Sequence, residues 1–226
     1  KKLKNAQLTL KKGEILGIVG LVGSGRTETV RAIFGADKVK EKKIRLQGEE
    51  IEIVSPRNAI DQGIAMVPED RKVQGLLMRF SVERNISLAR LASLVSFGFI
   101  RENEEKQMGV RQIESLDIRT PSPKTKIQSL SGGNQQKAIL GRWLELKPRI
   151  LILDEPTKGI DVGAKYEIYL IMKKIVEDGG SIILISSELP EILNMSNRVI
   201  TISDGEITGE FDPVQSSPDE IMEKAL

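Results

Sequence analysis

Asp154 and Glu155 stand side by side at the end of the apolar run RILILDEPT. Adjacent carboxylates at the carboxyl end of a buried strand lie where open α/β sheets place their ligands. There Asp154 is suited to hold Mg2+ through water, and Glu155 to polarise an attacking water as general base. The plainer reading is an acidic strand-to-loop junction. Upstream, residues 20–27 read GLVGSGRT, the phosphate-loop spacing GxxxxGK[ST] with arginine in the lysine position. Its glycines let backbone N–H groups turn inward around phosphate oxygens, the following helix adds its positive end, and Thr27 can offer a hydroxyl to Mg2+. Arg26 keeps the charge, but its planar fork does not fit the space of a compact ammonium. It is expected to displace a terminal phosphate or to be forced outward. Taken alone, the stretch also fits an ordinary glycine-rich turn.

A third stretch, LSGGNQQK at 130–137, precedes a helix expected over roughly residues 134–146. Ser131, Gly132 and Gly133 at a helix N-terminus can offer a hydroxyl and exposed N–H groups to an anion. A capped helix start is the simpler alternative. A second phosphate site in one chain makes sense if it serves another subunit.

These residues need a scaffold. Residues 14–19 read as a buried strand and 26–34 as a helix stopped by Gly35. Residues 43–53 alternate around Gln47-Gly48, as an antiparallel hairpin does. Ser55-Pro56 opens a helix that Gly63 closes, and 64–67 is a further strand. From about 79 to 141 the chain is mainly helical, broken near Thr120 by TPSPKT. Strand–helix alternation then returns: a strand at 150–154, a helix at 162–178, a strand at 181–186, and a hairpin at 198–210 around Asp204-Gly205. This rhythm predicts an α/β fold with a mostly parallel sheet. One domain is expected over 1–226, its core at 1–78 and 142–226 and a helical subdomain inserted at about 79–141.

Composition narrows the function classes. The formal net charge is +2, so a general nucleic-acid surface is not indicated. Lys1, Lys2 and Lys4, and again Lys38, Lys40, Lys42 and Lys43, read as solvated faces. The chain has neither cysteine nor histidine, which removes disulfides, thiolate metal sites and imidazole chemistry and suits a reducing compartment. No apolar run approaches the ~20 residues of a membrane helix, and no secretory signal is visible. The first residue is not methionine, as expected of a piece of a longer polypeptide.

Together the stretches resemble the ATP-binding cassette (ABC) family, with the P-loop NTPase fold, a mostly parallel core, an antiparallel β subdomain and an inserted helical subdomain. GLVGSGRT resembles its Walker A loop, LSGGNQQK its signature, ILILDEPT its Walker B and GID at 159–161 its D-loop. VPEDRKVQGLL, DEPTKGIDVGAK and SSELPEIL are similar to the second cassette of bacterial ribose, galactose and xylose importers. The resemblance implies ATP and Mg2+ as cofactors. It implies nucleotide binding by Gly20, Gly23, Ser24, Gly25, Arg26, Thr27 and Glu28, metal contact by Thr27 and Asp154, and a catalytic Glu155. Ser131, Gly132, Gly133, Gln135 and Asp161 would face a nucleotide held by a partner cassette. Glu69 occupies the Q-loop glutamine position and Ser187 the switch-histidine position. With Arg26, all three departures affect the chain's own site.

The implied partners are a second cassette earlier in the same polypeptide, membrane-spanning permease subunits on whose cytoplasmic face the domain docks peripherally, and, indirectly, a sugar-binding protein. A non-hydrolysing regulatory cassette is the alternative. A soluble cassette protein of DNA repair or translation is disfavoured, because no long coiled coil separates the phosphate loop from LSGG.

Overall fold

A computed structural model describes residues 3, 4 and 6–226; Lys1 and Lys2, two of the three lysines of the first basic cluster, lie outside them. The chain divides into two compact units. The first comprises residues 1–66, 149–155 and 175–226, and the second residues 67–148 and 156–174.

The first unit is built on a six-stranded sheet. Its strands are β1 (Ile15–Val19), β4 (Ile64–Val67), β7 (Ile150–Asp154), β8 (Ser181–Ile185), β9 (Arg198–Ser203) and β10 (Glu206–Phe211), in the order β10-β9-β1-β8-β7-β4. β1 runs parallel to β8 and β9, β7 runs parallel to β8, and β10 runs antiparallel to β9. β1 and β8 are buried along their whole length, the pattern of central strands covered on both faces; β4, at the sheet edge, is buried as well. A separate two-stranded sheet pairs β2 (Ile44–Leu46) with β3 (Glu49–Ile51) through Gln47-Gly48, both at positive φ. The fold is thus α/β with a mostly parallel core.

Helix α1 (Arg26–Phe34) leaves the loop after β1 and ends at Gly35, whose φ of 76° closes the last turn. Helix α2 (Pro56–Asp61) is capped by Ser55, which accepts from Asn58 N–H. Lys42 departs from the solvated-face expectation: its Nζ donates to the Ala32 carbonyl at 2.6 Å, and burial pushes its ammonium below the usual lysine range. Two short helices escaped the sequence reading, α8 (Leu189–Met195) on β1 and α9 (Pro218–Ala225) on β9 and β10. Gly17 lets α8 approach, since a Cβ there would collide with Ser196 and Ile192.

The second unit is mainly helical. It contains α3 (Val82–Ser87), α4 (Leu91–Leu94), α5 (Glu102–Ser115), α6 (Gly132–Leu144) and most of α7 (Val162–Glu177). A small hairpin inside it, β5 (Val95–Ser96) with β6 (Phe99–Ile100), was not expected. Arg142 on α6 holds α3 and the turn before it. The guanidinium donates to the Asn85 carbonyl (2.7 Å), the Gly75 carbonyl (2.6 Å) and Asn85 Oδ1 (3.0 Å). Burial lowers its pKa to about 10, so it remains a cation at neutral pH.

Candidate functional site

In the first unit, the loop at 20–27 joins β1 to α1. Gly23 and Gly25 take φ of 85° and 107°, a conformation L side chains rarely adopt, so glycine is required at both. The loop is braced from outside: Gly205, at the β9–β10 turn, donates its N–H to the Ser24 carbonyl at 2.7 Å. Ser24 is buried, and its Oγ has no hydrogen-bond partner. Thr27 and Glu28 lie in the first turn of α1. Thr27 Oγ1 donates to Asp154 Oδ1 at 3.4 Å. Asp154 ends β7, at the carboxyl end of a strand where open α/β sheets place ligands, and is buried there.

These groups suit a phosphate with Mg2+. An orphaned buried hydroxyl sits in the glycine loop, and a hydroxyl and a carboxylate meet as hard oxygen donors. Among the described residues no cluster of three acidic side chains could form a metal cage. Mg2+ does not need one, because it takes one or two carboxylates and completes its shell with water and phosphate oxygens.

Arg26 is not forced outward, one of the two outcomes expected from the sequence. It is 9% exposed and folded back into the protein, where Nη1 donates to the Ser186 carbonyl at 2.9 Å. Nη2 lies 3.8 Å from Glu155 Oε1. Glu155 itself has φ 50°, an uncommon backbone for a side-chain-bearing residue, and its N–H donates to the Ile185 carbonyl at 2.9 Å. Ser187 Oγ donates to Glu155 Oε2 at 3.0 Å. Two of the three departures therefore converge on the candidate base. The partner of Arg26 could not be read locally, because Ser186 lies 160 residues away in sequence.

The second unit gathers the other candidates. Ser131 caps α6, its Oγ accepting from Asn134 N–H at 3.5 Å and from Asn134 Nδ2 at 2.9 Å. Both bonds use the oxygen, so the serine proton is free of them. The helix starts at Gly132, two residues before the expected position, so both glycines lie inside its first turn. Gly133 is buried against Ala164 of α7, where a Cβ would collide with the alanine methyl. Gln135 faces inward at 5% exposure and donates to the Ile127 and Leu130 carbonyls at 3.3 and 3.0 Å. It supports the turn before α6 rather than facing outward. Lys137 is 2% exposed, its Nζ donating to the Asp117 carbonyl and lying 3.0 Å from Glu167 of α7. Asp161 caps α7 by accepting from Ala164 N–H at 2.9 Å.

Glu69 is ion-paired to Lys158 at 2.6 Å. Its neighbours Asp70 and Arg71, quoted only within the stretch VPEDRKVQGLL, had no role of their own in the sequence. Asp70 accepts from Lys72 and Val73 N–H and shapes a wide helical turn over Arg71–Gly75. Arg71 donates to the Lys158 carbonyl at 2.6 Å and the Gly159 carbonyl at 3.0 Å. A Cβ added to Gly132 would lie 2.8 Å from Arg71 Nη2. The stretch V-P-E-D-R shows charge but no periodicity, and only the partners distant in sequence give it meaning.

The sequence profile of the ABC transporter family matches residues 3–158. The ribose import ATP-binding protein RbsA of Geobacillus kaustophilus is 48% identical over 204 residues, covering 90% of this chain and 41% of that protein. The xylose import ATP-binding protein XylG of Thermoanaerobacter pseudethanolicus is 47% identical over 221 residues, covering 97% and 44%. The chain thus spans less than half the length of these relatives. A nucleotide-free ATP-binding cassette from an ABC transporter shares the fold at 20% identity and TM-score 0.81, covering 100% of this chain and 92% of that one. The dimeric cassette MJ0796 bound to ADP and Pi does so at 23% identity and TM-score 0.77, covering 94% and 90%. The chain belongs to the ABC transporter family, as one of its ATPase domains.

Proposed function

We propose that the chain is the nucleotide-binding domain of a sugar importer and that its own nucleotide site is weakened. The observation that carries this reading is the inward fold of Arg26 onto Ser186 and Glu155; the Ser131–Gly133 helix start, by contrast, keeps its donors. ATP binds at the 20–27 loop, with phosphates cradled by the backbone of Gly20, Gly23 and Gly25 and by Ser24. Thr27 and Asp154 hold Mg2+, which when bound neutralises charge on the phosphates. Glu155 is the candidate base, and its ties to Arg26 and Ser187 limit its freedom to orient water. Ser131 and the N–H groups of Gly132 and Gly133 serve the nucleotide of a partner cassette, where preorganised donors favour the charge that develops in phosphoryl transfer.

The partner cassette belongs earlier in the same polypeptide, consistent with relatives more than twice as long as the match. The permease subunits and a sugar-binding protein complete the system at the cytoplasmic side of the membrane. Among the described residues no helix is long and apolar enough to cross it, in keeping with a peripheral domain.

The same engagement of Glu155 favours the second reading, a regulatory cassette without hydrolysis of its own. Turnover by the isolated chain separates the two: activity lost in Glu155→Gln marks hydrolysis here, and none above that control marks the regulatory reading. Sugar import is tested by reconstituting the full-length protein with its membrane subunits in vesicles. ATP-driven uptake of ribose, xylose or galactose is expected; ATP-driven movement of an unrelated solute alone would refute it.

A further inference from the structure

We propose that Glu69, Asp70 and Arg71 form a brace that positions the donors offered to the partner cassette, with Arg71 its central positioning residue. The inference rests on the reading that Ser131–Gly133 acts on a partner's nucleotide. The turn at 158–160 and the start of α6 are separate in sequence and need a common reference to hold one geometry. Arg71 supplies it. Its two terminal nitrogens each bind a carbonyl of the turn, Lys158 at 2.6 Å and Gly159 at 3.0 Å. The same guanidinium lies over Gly132, and a Cβ there would also come within 3.1 Å of the Gly159 carbonyl and 3.3 Å of Ile160. A planar fork with fixed donors suits two adjacent carbonyls, which a single ammonium does not.

The neighbours of Arg71 serve the same end. Asp70 accepts two backbone N–H groups, from Lys72 at 2.9 Å and Val73 at 3.0 Å, and so fixes the turn that carries Arg71. Glu69 grips the same 158–160 turn from its side chain, with Lys158 Nζ at 2.6 Å. A glutamine at position 69 has no charge for that lysine. Glu69, which looked only like a departure from the family pattern, thus holds the turn that leads into Asp161 and α7. The contact of Gly133 with Ala164 continues the brace, so that a shift of the turn is transmitted to the first residues of α6.

The test uses the full-length protein assembled with its membrane subunits, with turnover followed against ATP concentration. Arg71→Ala is expected to lower kcat at least about tenfold and to leave KM within about twofold, because it disturbs the donors and not the loop that holds the nucleotide. Arg71→Lys, reaching one carbonyl, should recover part of the loss. Glu69→Lys and Lys158→Glu should each lower kcat, and the double exchange should restore it. If Arg71→Ala yields no folded protein, the exchange pair decides alone. Ser131→Asp, which keeps a good cap while setting a carboxylate against phosphate, runs alongside. If it abolishes turnover while Arg71→Ala leaves kcat unchanged, the brace is overturned and the partner-site reading stands. No recovery in Arg71→Lys and none in the exchange pair also overturn the brace. If Ser131→Asp turns over normally, the partner-site reading fails and the brace loses its purpose.

Discussion

Replacing Arg26 by lysine should move nucleotide affinity and stability in opposite directions. To address a phosphate, the guanidinium must leave the Ser186 carbonyl at 2.9 Å and Glu155 at 3.8 Å. A hydrogen bond from a charged donor contributes about 1.5–3 kcal/mol. Surrendering it on binding therefore weakens the complex by roughly 10- to 100-fold at 1.4 kcal/mol per factor of ten. The ion pair is long, and it adds to this cost without setting it. Lysine is compact and carries no fork, so it gives up less when it turns to the phosphates. Arg26→Lys is then expected to tighten Mg-ATP binding by about tenfold or more, and to lower nucleotide-free stability by about 1.5–3 kcal/mol as the Ser186 contact is lost. Calorimetric titration reads the first and urea unfolding the second. Unchanged or weaker binding in Arg26→Lys would refute the reasoning and place the lesion elsewhere in the site.

Other substitutions probe the second unit. Arg142→Ala leaves the Gly75 and Asn85 carbonyls without their buried donor and should cost about 2–6 kcal/mol in urea unfolding, at about 1–3 kcal/mol per orphaned group. Gly133→Ala should lower stability by about 1–3 kcal/mol through its collision with Ala164. The double variant with Ala164→Gly should recover most of that loss in a thermal melt. A Gly133→Ala chain as stable as the parent would show that α6 and α7 separate freely there.

What was legible in the sequence was what short-range physics decides. β1, α1 and the hairpins at Gln47-Gly48 and Asp204-Gly205 follow from apolar runs closed by residues that accept positive φ. The phosphate loop and the Asp154-Glu155 pair stood out because their backbone chemistry is local. Elements that depend on distant support did not. α8 spans seven residues and packs where Gly17 leaves room. The β5–β6 hairpin, in the stretch LVSFGFI, has strands of two residues each, too short to stand out by alternation. The direction of Arg26, the inward face of Gln135 and the role of Arg71 are each set by carbonyls that a sequence does not display. The departure of Glu69 from the family pattern was visible at once, but its lysine partner was not.

The central claim is that the domain's main chemical contribution is made at a partner's nucleotide. The most direct measurement compares ATP turnover of Ser131→Asp and Glu155→Gln in the full-length protein assembled with its membrane subunits. Gly132→Asp is less clean, since its carboxylate would sit beside Arg71. The account predicts that Ser131→Asp reduces turnover by about 100-fold or more, the scale of losing a transition-state donor, while Glu155→Gln keeps a substantial part of it. Glu155→Gln stopping turnover as completely as Ser131→Asp would show that both sites hydrolyse, and would contradict it.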